Sequence, residues 1–336
     1  MIILTGGTGF LGSHLLYHLL SNNYNVLAIC RANSSKKQTE KIFNQYQPDN
    51  KDLFNSIKWH ECDLNNYYDV VETLSGAQGV IHAAALVSYN PADKNRLLKE
   101  NVNITKNIVD ASLINNIQRF LHVSSIAALG ETKDSNKLID ENVKWSEEDV
   151  NSGYSVSKYY AELEVWRGIA EGLNAVIVNP SVILGYGDWD KGSCALFKTI
   201  YNGFKYYTLG SSGFIYVEDV CKIIIKLFES NISGEQFVLS SENKTYKEIF
   251  YLIAEALNVN PPRKYATPFL TGIAWRLEYV KSKLSRSAPL ITRESAINSH
   301  KLLKYSNDKI QGLLQYDYTK IDNAVKLLAD KFLKEQ

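Results

Sequence analysis

The chain has 336 residues, of which 45% are hydrophobic and 22% are charged, as in an ordinary globular protein. Its 37 basic residues nearly balance its 36 acidic residues, which excludes the strong positive charge typical of proteins that bind nucleic acids or anionic membranes. No apolar run approaches the roughly 20 residues that span a bilayer, and the N-terminus lacks the basic and apolar segments of a signal peptide. We therefore predict a cytoplasmic protein without a nucleic-acid or membrane partner.

The first apolar run, Ile2–Leu4, predicts a buried parallel strand. Three evenly spaced glycines follow it, Gly6, Gly9 and Gly12, and then leucines at helical spacing. A strand, a glycine turn and a helix bind the pyrophosphate of a dinucleotide, because glycine lets the main chain approach the phosphates and the helix N-terminus attracts anions. The alternative is a turn that merely requires glycine, but the flanking strand and helix favour a dinucleotide site.

The second predicted strand covers residues 24–30 and ends at Arg31. An acidic residue near this position commonly binds the ribose of NAD, whereas an arginine suits the additional phosphate of NADP. No Asp or Glu occupies this strand end, and Ser34, Lys36 and Lys37 follow it. The sequence therefore favours NADP over NAD, the alternative being that Arg31 is a solvated side chain on a basic loop.

The third and fourth predicted strands end in short side chains. Residues 57–62 alternate between apolar and polar, and Asp63 then stands where it can cap a helix over residues 65–74. The run Gly79–Ala85 ends in three alanines, which leave room for a ligand to lie across the strand end. We interpret His82, within this run, as a core residue and not as an acid or base.

The next strand, residues 120–123, ends in Ser124 and Ser125. A polar pair at the carboxyl end of a strand lies where α/β sheets place active sites. A long helix over residues 92–115 precedes this strand, and residues 131–150 predict a polar loop over the site.

Tyr154 and Lys158 open a helix that runs to about residue 172, and their spacing places them on one face. An ammonium beside a phenol lowers the phenol's pKa from about 10 towards neutrality. The tyrosine can then exchange a proton with a substrate oxygen, while a serine hydroxyl on the neighbouring strand hydrogen bonds to that oxygen.

Together, the segments TGGTGFLG, Asp63-Leu64, HAAA, SSIAALG, YSVSK and NPSVILGYGD resemble the extended short-chain dehydrogenase/reductase family over nearly the whole chain. The similarity is greatest to its dihydroflavonol-reductase-like and 3β-hydroxysteroid-dehydrogenase-like branch. It implies a Rossmann-type α/β fold, with a doubly wound parallel sheet and a smaller C-terminal α/β substrate lobe. It also implies that Ser125, Tyr154 and Lys158 are catalytic, with Ser124 as the second choice for the serine.

The resemblance further implies which residues contact the cofactor. They are Thr5, Gly6, Gly9, Phe10, Leu11, Gly12, Arg31, Asp63, Leu64, Ala83, Ala84, Ala85, Asn101, Val123, Tyr154, Lys158, Pro180 and Val182. The family usually has an arginine where this chain has Asn179, which leaves Pro180 and Val182 as the contacts at the nicotinamide end. By the same resemblance we expect a homodimer that pairs through helices 92–115 and 153–171.

We expect residues 1–184 to form the cofactor domain, with residues 214–240 returning to it, and residues 185–213 and 241–336 to form the substrate lobe. Thr245 and Glu248 predict a capping box for a helix that runs to Leu257. Residues 269–284 are apolar almost all round, which predicts a helix that is buried or lines a pocket. Four widely spaced cysteines, Cys30, Cys62, Cys194 and Cys221, are expected as buried thiols, and no spacing indicates a metal site.

The function that we predict is an NADP-dependent reductase or dehydrogenase that acts on a small carbonyl/alcohol pair. A sugar-nucleotide epimerase or dehydratase that recycles bound NAD is the first alternative, and it would need basic residues in the second lobe. Candidates for these residues are Arg263, Arg276, Arg286 and Arg293. A non-catalytic NADP sensor is the second alternative, although such a protein often lacks the tyrosine or the lysine that this chain retains.

Overall fold

The computed structural model describes residues 1–48, 51–132, 134, 137–146, 152–285 and 292–336. Arg286 and part of the loop expected over residues 131–150 lie outside the described residues. Within these ranges, a parallel sheet is enclosed between two layers of helices.

Twelve strands lie in the described part of the chain. They are β1 Ile2–Thr5, β2 Val26–Cys30, β3 Lys58–Glu61, β4 Gly79–His82, β5 Arg119–Val123, β6 Ala175–Pro180, β7 Val182–Leu184, β8 Tyr206–Tyr207, β9 Ser211–Tyr216, β10 Glu235–Leu239, β11 Glu242–Thr245 and β12 Lys264–Tyr265. Seven of them form a parallel sheet in the order β10-β6-β5-β4-β1-β2-β3. The strand order reverses between β1 and β4, where open α/β sheets bind their ligands, so the predicted fold class is confirmed.

The helices of the described residues are α1 Phe10–Ser21, α2 Lys37–Tyr46, α3 Asp52–Asn55, α4 Tyr67–Thr73, α5 Lys94–Ile114, α6 Gly153–Ala170, α7 Ala195–Tyr201, α8 Val217–Glu229, α9 Tyr246–Ala256, α10 Pro268–Ser285, α11 Arg293–Asn298, α12 Asp308–Leu314 and α13 Ile321–Leu333. Helices α1 and α8 cover one face of the sheet, and α5 and α6 pack side by side on the other.

Burial on both faces explains why the central strand is an unbroken apolar run. Successive residues of β1 point to opposite faces. Leu4 packs in the same cluster as Leu15 of α1, whereas Ile3 packs in the cluster that contains Ile108 of α5 and Val165 of α6. This packing holds the carboxyl end of β1, and with it the glycine turn, at the centre of the sheet.

The segment after β6 builds smaller sheets before it returns to the large one. Strand β9 pairs with β7 and β11 in a three-stranded sheet, and β8 pairs with β12. The chain then re-enters the large sheet as β10, alongside β6. The division into a cofactor domain, residues 1–184 with 214–240, and a substrate lobe remains a prediction.

The capping box predicted for α9 is confirmed. The Thr245 hydroxyl accepts the backbone N–H of Glu248 (3.2 Å), and the Glu248 carboxylate accepts the backbone N–H of Thr245 (2.6 Å). The two bonds satisfy N–H groups that a helix start otherwise leaves without partners.

All four cysteines are buried free thiols, as predicted. No helix in the part of the chain that the structure describes is long and apolar enough to cross a bilayer. The described residues also bring no three His, Cys, Asp or Glu side chains together as a metal-binding group.

The prediction for residues 269–284 is right about the helix and wrong about its burial. Helix α10 leaves Phe269 exposed by 76% and Leu277 by 67%, with Ile273 between them also exposed. Its opposite flank packs against α11, and the hydroxyl of Thr271 hydrogen bonds to His300 nearby (3.0 Å). One flank supplies the contacts of this helix, so an apolar pattern all round did not enclose it.

Because Phe269 is exposed, Phe269→Ala should change the free energy of unfolding by no more than about 0.5 kcal/mol. The same substitution at Phe120, which is fully buried in β5, should cost about 3–5 kcal/mol because it leaves a cavity. Urea unfolding of both variants checks this pair. A loss above about 2 kcal/mol for Phe269→Ala would show that the ring is packed in the native protein.

Candidate active site

The glycine turn between β1 and α1 is built so closely that it excludes side chains. Gly6 has φ +78°, and a Cβ there would lie 2.8 Å from the backbone of Ala83 and Ala84. A Cβ on Gly12 would lie 2.0 Å from the carbonyl oxygen of Gly6. Gly9 is the N-cap of α1 and offers no capping side chain. The first N–H groups of α1 are therefore available to an anion, and this cradle fits the pyrophosphate of a dinucleotide.

A buried chain of hydrogen bonds supports the strand ends beside this turn. The Thr5 hydroxyl accepts the N–H of Ala84 (3.2 Å) and bonds to Nδ1 of His82 (2.8 Å). Nε2 of His82 bonds to the hydroxyl of Thr105 (3.1 Å). Burial lowers the pKa of His82 to about 3, so the ring is neutral and both nitrogens serve structure. This geometry agrees with the interpretation of His82 as a core residue.

The residues predicted for the adenosine end of the cofactor lie at the carboxyl ends of β2 and β3. Arg31 is exposed and makes no ion pair with any residue that the structure describes. Lys36 instead lies 5.0 Å from the ring centre of Trp59. Arg31 therefore offers a positive charge at this strand end to which a ligand can bind.

Asp63 was expected to cap the following helix, but the structure shows that it does not. Its carboxylate accepts the N–H of Asn65 (3.0 Å) in a tight turn, and Asn66 caps α4 by accepting the N–H of Tyr68 (3.2 Å). The helix starts later than predicted because this turn comes first. Asp63 stays exposed at the strand end, next to the buried Leu64.

Lys158 and Val123 join the catalytic helix to the sheet. The ammonium of Lys158, one turn along α6 from Tyr154, donates to the carbonyl oxygen of Val123 at the end of β5 (3.0 Å). The side chain is buried, and burial lowers the pKa of Lys158 to about 8, while the charge of Glu162 raises it. Lys158 is therefore mostly charged at pH 7.

The structure brings Ser125 and Tyr154 together. Ser125 is the second residue after β5, and its hydroxyl accepts the N–H of Ala127 (3.1 Å). The same hydroxyl faces the Tyr154 phenol closely enough to lower the phenol's pKa. Ser124, the second choice, is buried, and its hydroxyl lies close enough to the Glu162 carboxylate to lower the pKa of that group.

The pKa of Tyr154 departs from the expectation of a value near neutrality. Burial raises the pKa of Tyr154, and the neighbouring Tyr89 raises it further, while Ser125 opposes both effects. The Lys158 ammonium is directed to Val123 and makes no hydrogen bond to the phenol. The phenol is therefore protonated at neutral pH in this arrangement, as a proton donor must be.

Asn101, predicted to contact the cofactor, uses its side chain within the protein. Its amide nitrogen donates to the carbonyl oxygen of Leu86 (2.9 Å) and to the hydroxyl of Ser157 (3.0 Å), and its amide oxygen accepts the N–H of Leu86 (2.7 Å). Both amide hydrogens are committed, because the loop after β4 and helix α6 each need a partner here. Asn101 thus fastens two walls of the site and has no N–H left for a cofactor.

The remaining predicted contacts lie at or near the carboxyl ends of the strands. Pro180 closes β6 and Val182 opens β7, at the carboxyl edge of the sheet. Phe10 and Leu11 are the first residues of α1, and Ala85 ends the run of alanines that follows β4. All of these residues lie near the edge of the large sheet that is formed by the carboxyl ends of its strands.

The arginines that an epimerase would use are spread over the C-terminal lobe. Arg263 is exposed and bonds to Asn260 (3.3 Å). Arg276 donates to the carbonyl of Gly272 (2.6 Å), and Arg293 is the first residue of α11. Each of the first two is held by contacts within its own segment.

Two features of the site were missed in the sequence. The Tyr89 ring lies 5.6 Å from the Tyr154 ring, edge to face. Glu162 is buried beneath Ser125 and bonds to Asn179 and Gln236. Glu162 was detectable, since it follows Lys158 by one helical turn, whereas nothing local in the sequence marks Tyr89 or Gln236.

Several known proteins with similar sequences are named as reductases. A protein named "Putative dihydroflavonol 4-reductase" of Synechocystis sp. is 30% identical over 293 residues, 84% of this chain and 80% of its own length. Cinnamoyl-CoA reductase 2 of Arabidopsis thaliana is 23% identical over 311 residues, covering 85% of this chain and 91% of that protein.

Solved structures share the fold over the full length. The crystal structure of gox2253 has a TM-score of 0.82 and 26% identity, and the match covers 100% of this chain and 98% of that one. A UDP-glucuronic acid 4-epimerase from Bacillus cereus, in complex with UDP-glucuronic acid and NAD, has a TM-score of 0.76 at 18% identity, with 100% and 99% covered.

The model of the NAD dependent epimerase/dehydratase family matches residues 2–240, which include β1, the glycine turn, Ser125, Tyr154 and Lys158. This match spans more than half of the chain and agrees with the geometry of the site. The chain therefore belongs to the NAD dependent epimerase/dehydratase family, and it is an NAD(P)-dependent oxidoreductase of the extended short-chain dehydrogenase/reductase type.

Proposed function

We propose that this protein is an NADP-dependent reductase that transfers hydride between nicotinamide and a small-molecule carbonyl/alcohol pair. The observation that carries the proposal is the arrangement at the end of β5, where Ser125 faces a protonated Tyr154 and the buried Lys158 lies one turn further along α6. A protonated, buried phenol suits the reduction of a carbonyl, because this direction requires a proton donor.

Three groups of residues in this chain would contact three different parts of the cofactor. The Gly6–Gly12 turn would bind the pyrophosphate at the N-terminus of α1. Arg31 would bind the 2′-phosphate, and Asp63 with Leu64 would bound the adenine. Pro180, Val182 and Lys158 would border the nicotinamide and its ribose. When bound, the cofactor supplies or accepts the hydride.

The proton is handled by the protein alone. Tyr154 would donate its phenolic proton to the substrate oxygen, and the Ser125 hydroxyl would donate a hydrogen bond to the same oxygen. The charged Lys158 stabilises the phenolate that remains. Tyr89, whose ring lies beside Tyr154, would form one wall for the substrate.

An epimerase or dehydratase that recycles NAD is the alternative. Structural neighbours include the NAD-bound UDP-glucuronic acid 4-epimerase, but at 18% identity this similarity is evidence for the fold alone. The relatives with the names of reductases favour the first proposal. The cytoplasmic location expected from the sequence remains part of the proposal.

We also propose that the protein is a homodimer that pairs through α5 and α6. The two helices border an open groove of about 440 Å³ on the surface, lined mainly by residues of α5 such as Leu98 and Val102, with Tyr160 of α6. Apolar side chains at its centre and lysines at its edge suit the pairing of two identical helix pairs.

Tyr154→Phe should reduce turnover at least about 100-fold, because it removes the proton donor and leaves the ring in place. The affinity for NADPH, measured by fluorescence titration, should change by less than about twofold, because the ring keeps its packing. Turnover is measured with the best ketone or aldehyde from a panel of simple carbonyl compounds. The control is Tyr159→Phe on the same helix, whose ring stacks on Trp145 (4.5 Å) outside the proposed site; retained turnover in Tyr154→Phe would refute the assignment.

The purified protein should release no stoichiometric NAD on denaturation, and it should bind NADPH more tightly than NADH. Arg31→Ala should weaken NADPH binding about tenfold or more and leave NADH binding nearly unchanged, because only NADPH carries the 2′-phosphate. The control is Lys58→Ala, which removes a positive charge at the opposite end of the neighbouring strand β3 and should leave the affinity for NADPH unchanged. Equal losses for both nucleotides, or tightly retained NAD, would favour the recycling enzyme.

Light scattering at micromolar concentration should give twice the 38.0 kDa mass of the chain. Leu98→Asp should shift the protein to the monomer mass, because it places a charge in the middle of the apolar groove. The exposed Leu327→Asp on α13 serves as the control. A single monomer mass for the wild-type protein would remove the homodimer from the proposal.

A further inference from the structure

A carboxylate lies buried directly behind the Ser125 loop. Glu162 on α6 is 5% exposed. Its carboxylate accepts hydrogen bonds from the side-chain amides of Asn179 and Gln236 (2.8 Å each) and a longer one from the indole N–H of Trp166 (3.4 Å). All three donors are neutral, so the network stabilises the carboxylate by hydrogen bonds and not by a salt bridge.

Asn179 connects this carboxylate to the Ser125 loop. Asn179 is the residue before Pro180 at the end of β6, and it is fully buried. Its amide nitrogen donates both to Glu162 (2.8 Å) and to the carbonyl oxygen of Ser125 (3.0 Å), and its amide oxygen accepts from Gln236 (3.0 Å). Every donor and acceptor of the Asn179 amide is therefore used, which fixes its orientation.

The position of Asn179 explains why an amide suits this chain. The resembled family usually has an arginine there, which would place a second cation beside Glu162. With Asn179 and Gln236 as neutral donors, the buried cation on the same helix is Lys158, one turn before Glu162. Glu162 and Lys158 lie on one face of α6. Burial raises the pKa of Glu162, whereas its hydrogen bonds and the charge of Lys158 lower it, and the charge of Glu162 in turn raises the pKa of Lys158.

The other ionisable groups that face Lys158 do not replace Glu162. His82 of β4 and His122 of β5 lie nearby, and burial lowers the pKa of each, so both are neutral at pH 7. Tyr154, on α6 itself, is a neutral phenol because burial raises its pKa. Glu162 is the carboxylate that interacts with Lys158.

We propose that Glu162, Asn179 and Gln236 are positioning residues for the proposed reaction, which hold the Ser125 hydroxyl against Tyr154 and provide the buried counter-charge that keeps Lys158 protonated. The inference rests on the proposed function for the roles of Ser125 and Lys158. It adds a link from β10, through β6 and α6, to the reacting groups.

The counter-charge is tested by an NMR titration of Lys158 in the whole protein with ε-¹³C-labelled lysine, the signal being assigned by its loss in Lys158→Met. In the wild-type protein, burial places the pKa of Lys158 at about 8. Glu162→Gln should lower the titration midpoint by roughly one pH unit, because the buried ammonium loses its partner charge. Glu162→Asp retains the charge and should stay near the wild-type midpoint.

The matched control is Glu164→Gln, which removes a carboxylate from the outer side of the same helix, where it pairs with Arg167 (2.9 Å). It should leave the Lys158 midpoint unchanged. An unchanged midpoint in Glu162→Gln as well would refute the counter-charge. Since Lys158 is neutral above its midpoint, kcat/KM should fall above about pH 8 in the wild-type protein and at lower pH in Glu162→Gln.

The positioning role is tested by Asn179→Ala, which breaks the link to Ser125 and keeps Glu162. With the carbonyl probe chosen for Tyr154→Phe, kcat should fall about tenfold while the KM for NADPH stays within twofold, because the hydroxyl is displaced and the cofactor contacts remain. A lower NADPH affinity with unchanged kcat would refute this role. The titration needs no substrate, so it remains decisive if the reductase activity is absent. If Glu162→Gln does not fold, Glu162→Met, which also removes the charge, takes its place in the titration.

Discussion

An ammonium group buried beneath a parallel sheet is the constraint on which the rest of this site depends. Removing Lys158 from water costs free energy unless its hydrogens and charge are compensated. The carbonyl oxygen of Val123 accepts one of the three ammonium hydrogens, and this bond fixes how closely α6 approaches the end of β5. Tyr154, one turn earlier, is thereby held against Ser125, the second residue after β5. The arrangement of Ser125, Tyr154 and Lys158 is thus a consequence of where one cation can be buried.

A continuous path of hydrogen bonds connects the two ends of the cofactor site. It runs from Thr5 to His82, then through Thr105 to the backbone of Asn101. The Asn101 side chain bonds to Ser157, whose hydroxyl donates to the carbonyl oxygen of Tyr154 (2.8 Å). These groups are buried, where an unpaired partner is costly, so the path keeps the glycine turn and the catalytic helix in one fixed relation.

The sequence was sufficient for most features that depend on neighbouring residues, although the helix predicted after Asp63 starts two residues later than expected. The apolar strands, the glycine turn and the α9 capping box are local patterns, and the structure confirms the fold class that they predict. It was insufficient where distant segments decide the outcome. The exposure of α10 depends on which partner covers it, the commitment of Asn101 depends on Leu86 and Ser157, and the protonated state of Tyr154 depends on burial. Hydrophobic periodicity carries none of this information.

The large sheet is completed by a strand that the chain supplies late. Strand β6 pairs with β5 on one side, and its other edge is covered only by β10, which follows after β7, β8 and β9. While a ribosome synthesises residues 181–239, the edge of β6 has no native partner, and an open apolar edge pairs readily with other chains. During translation of this stretch the nascent protein therefore exposes an edge that favours aggregation, and a ribosomal pause there lengthens this interval.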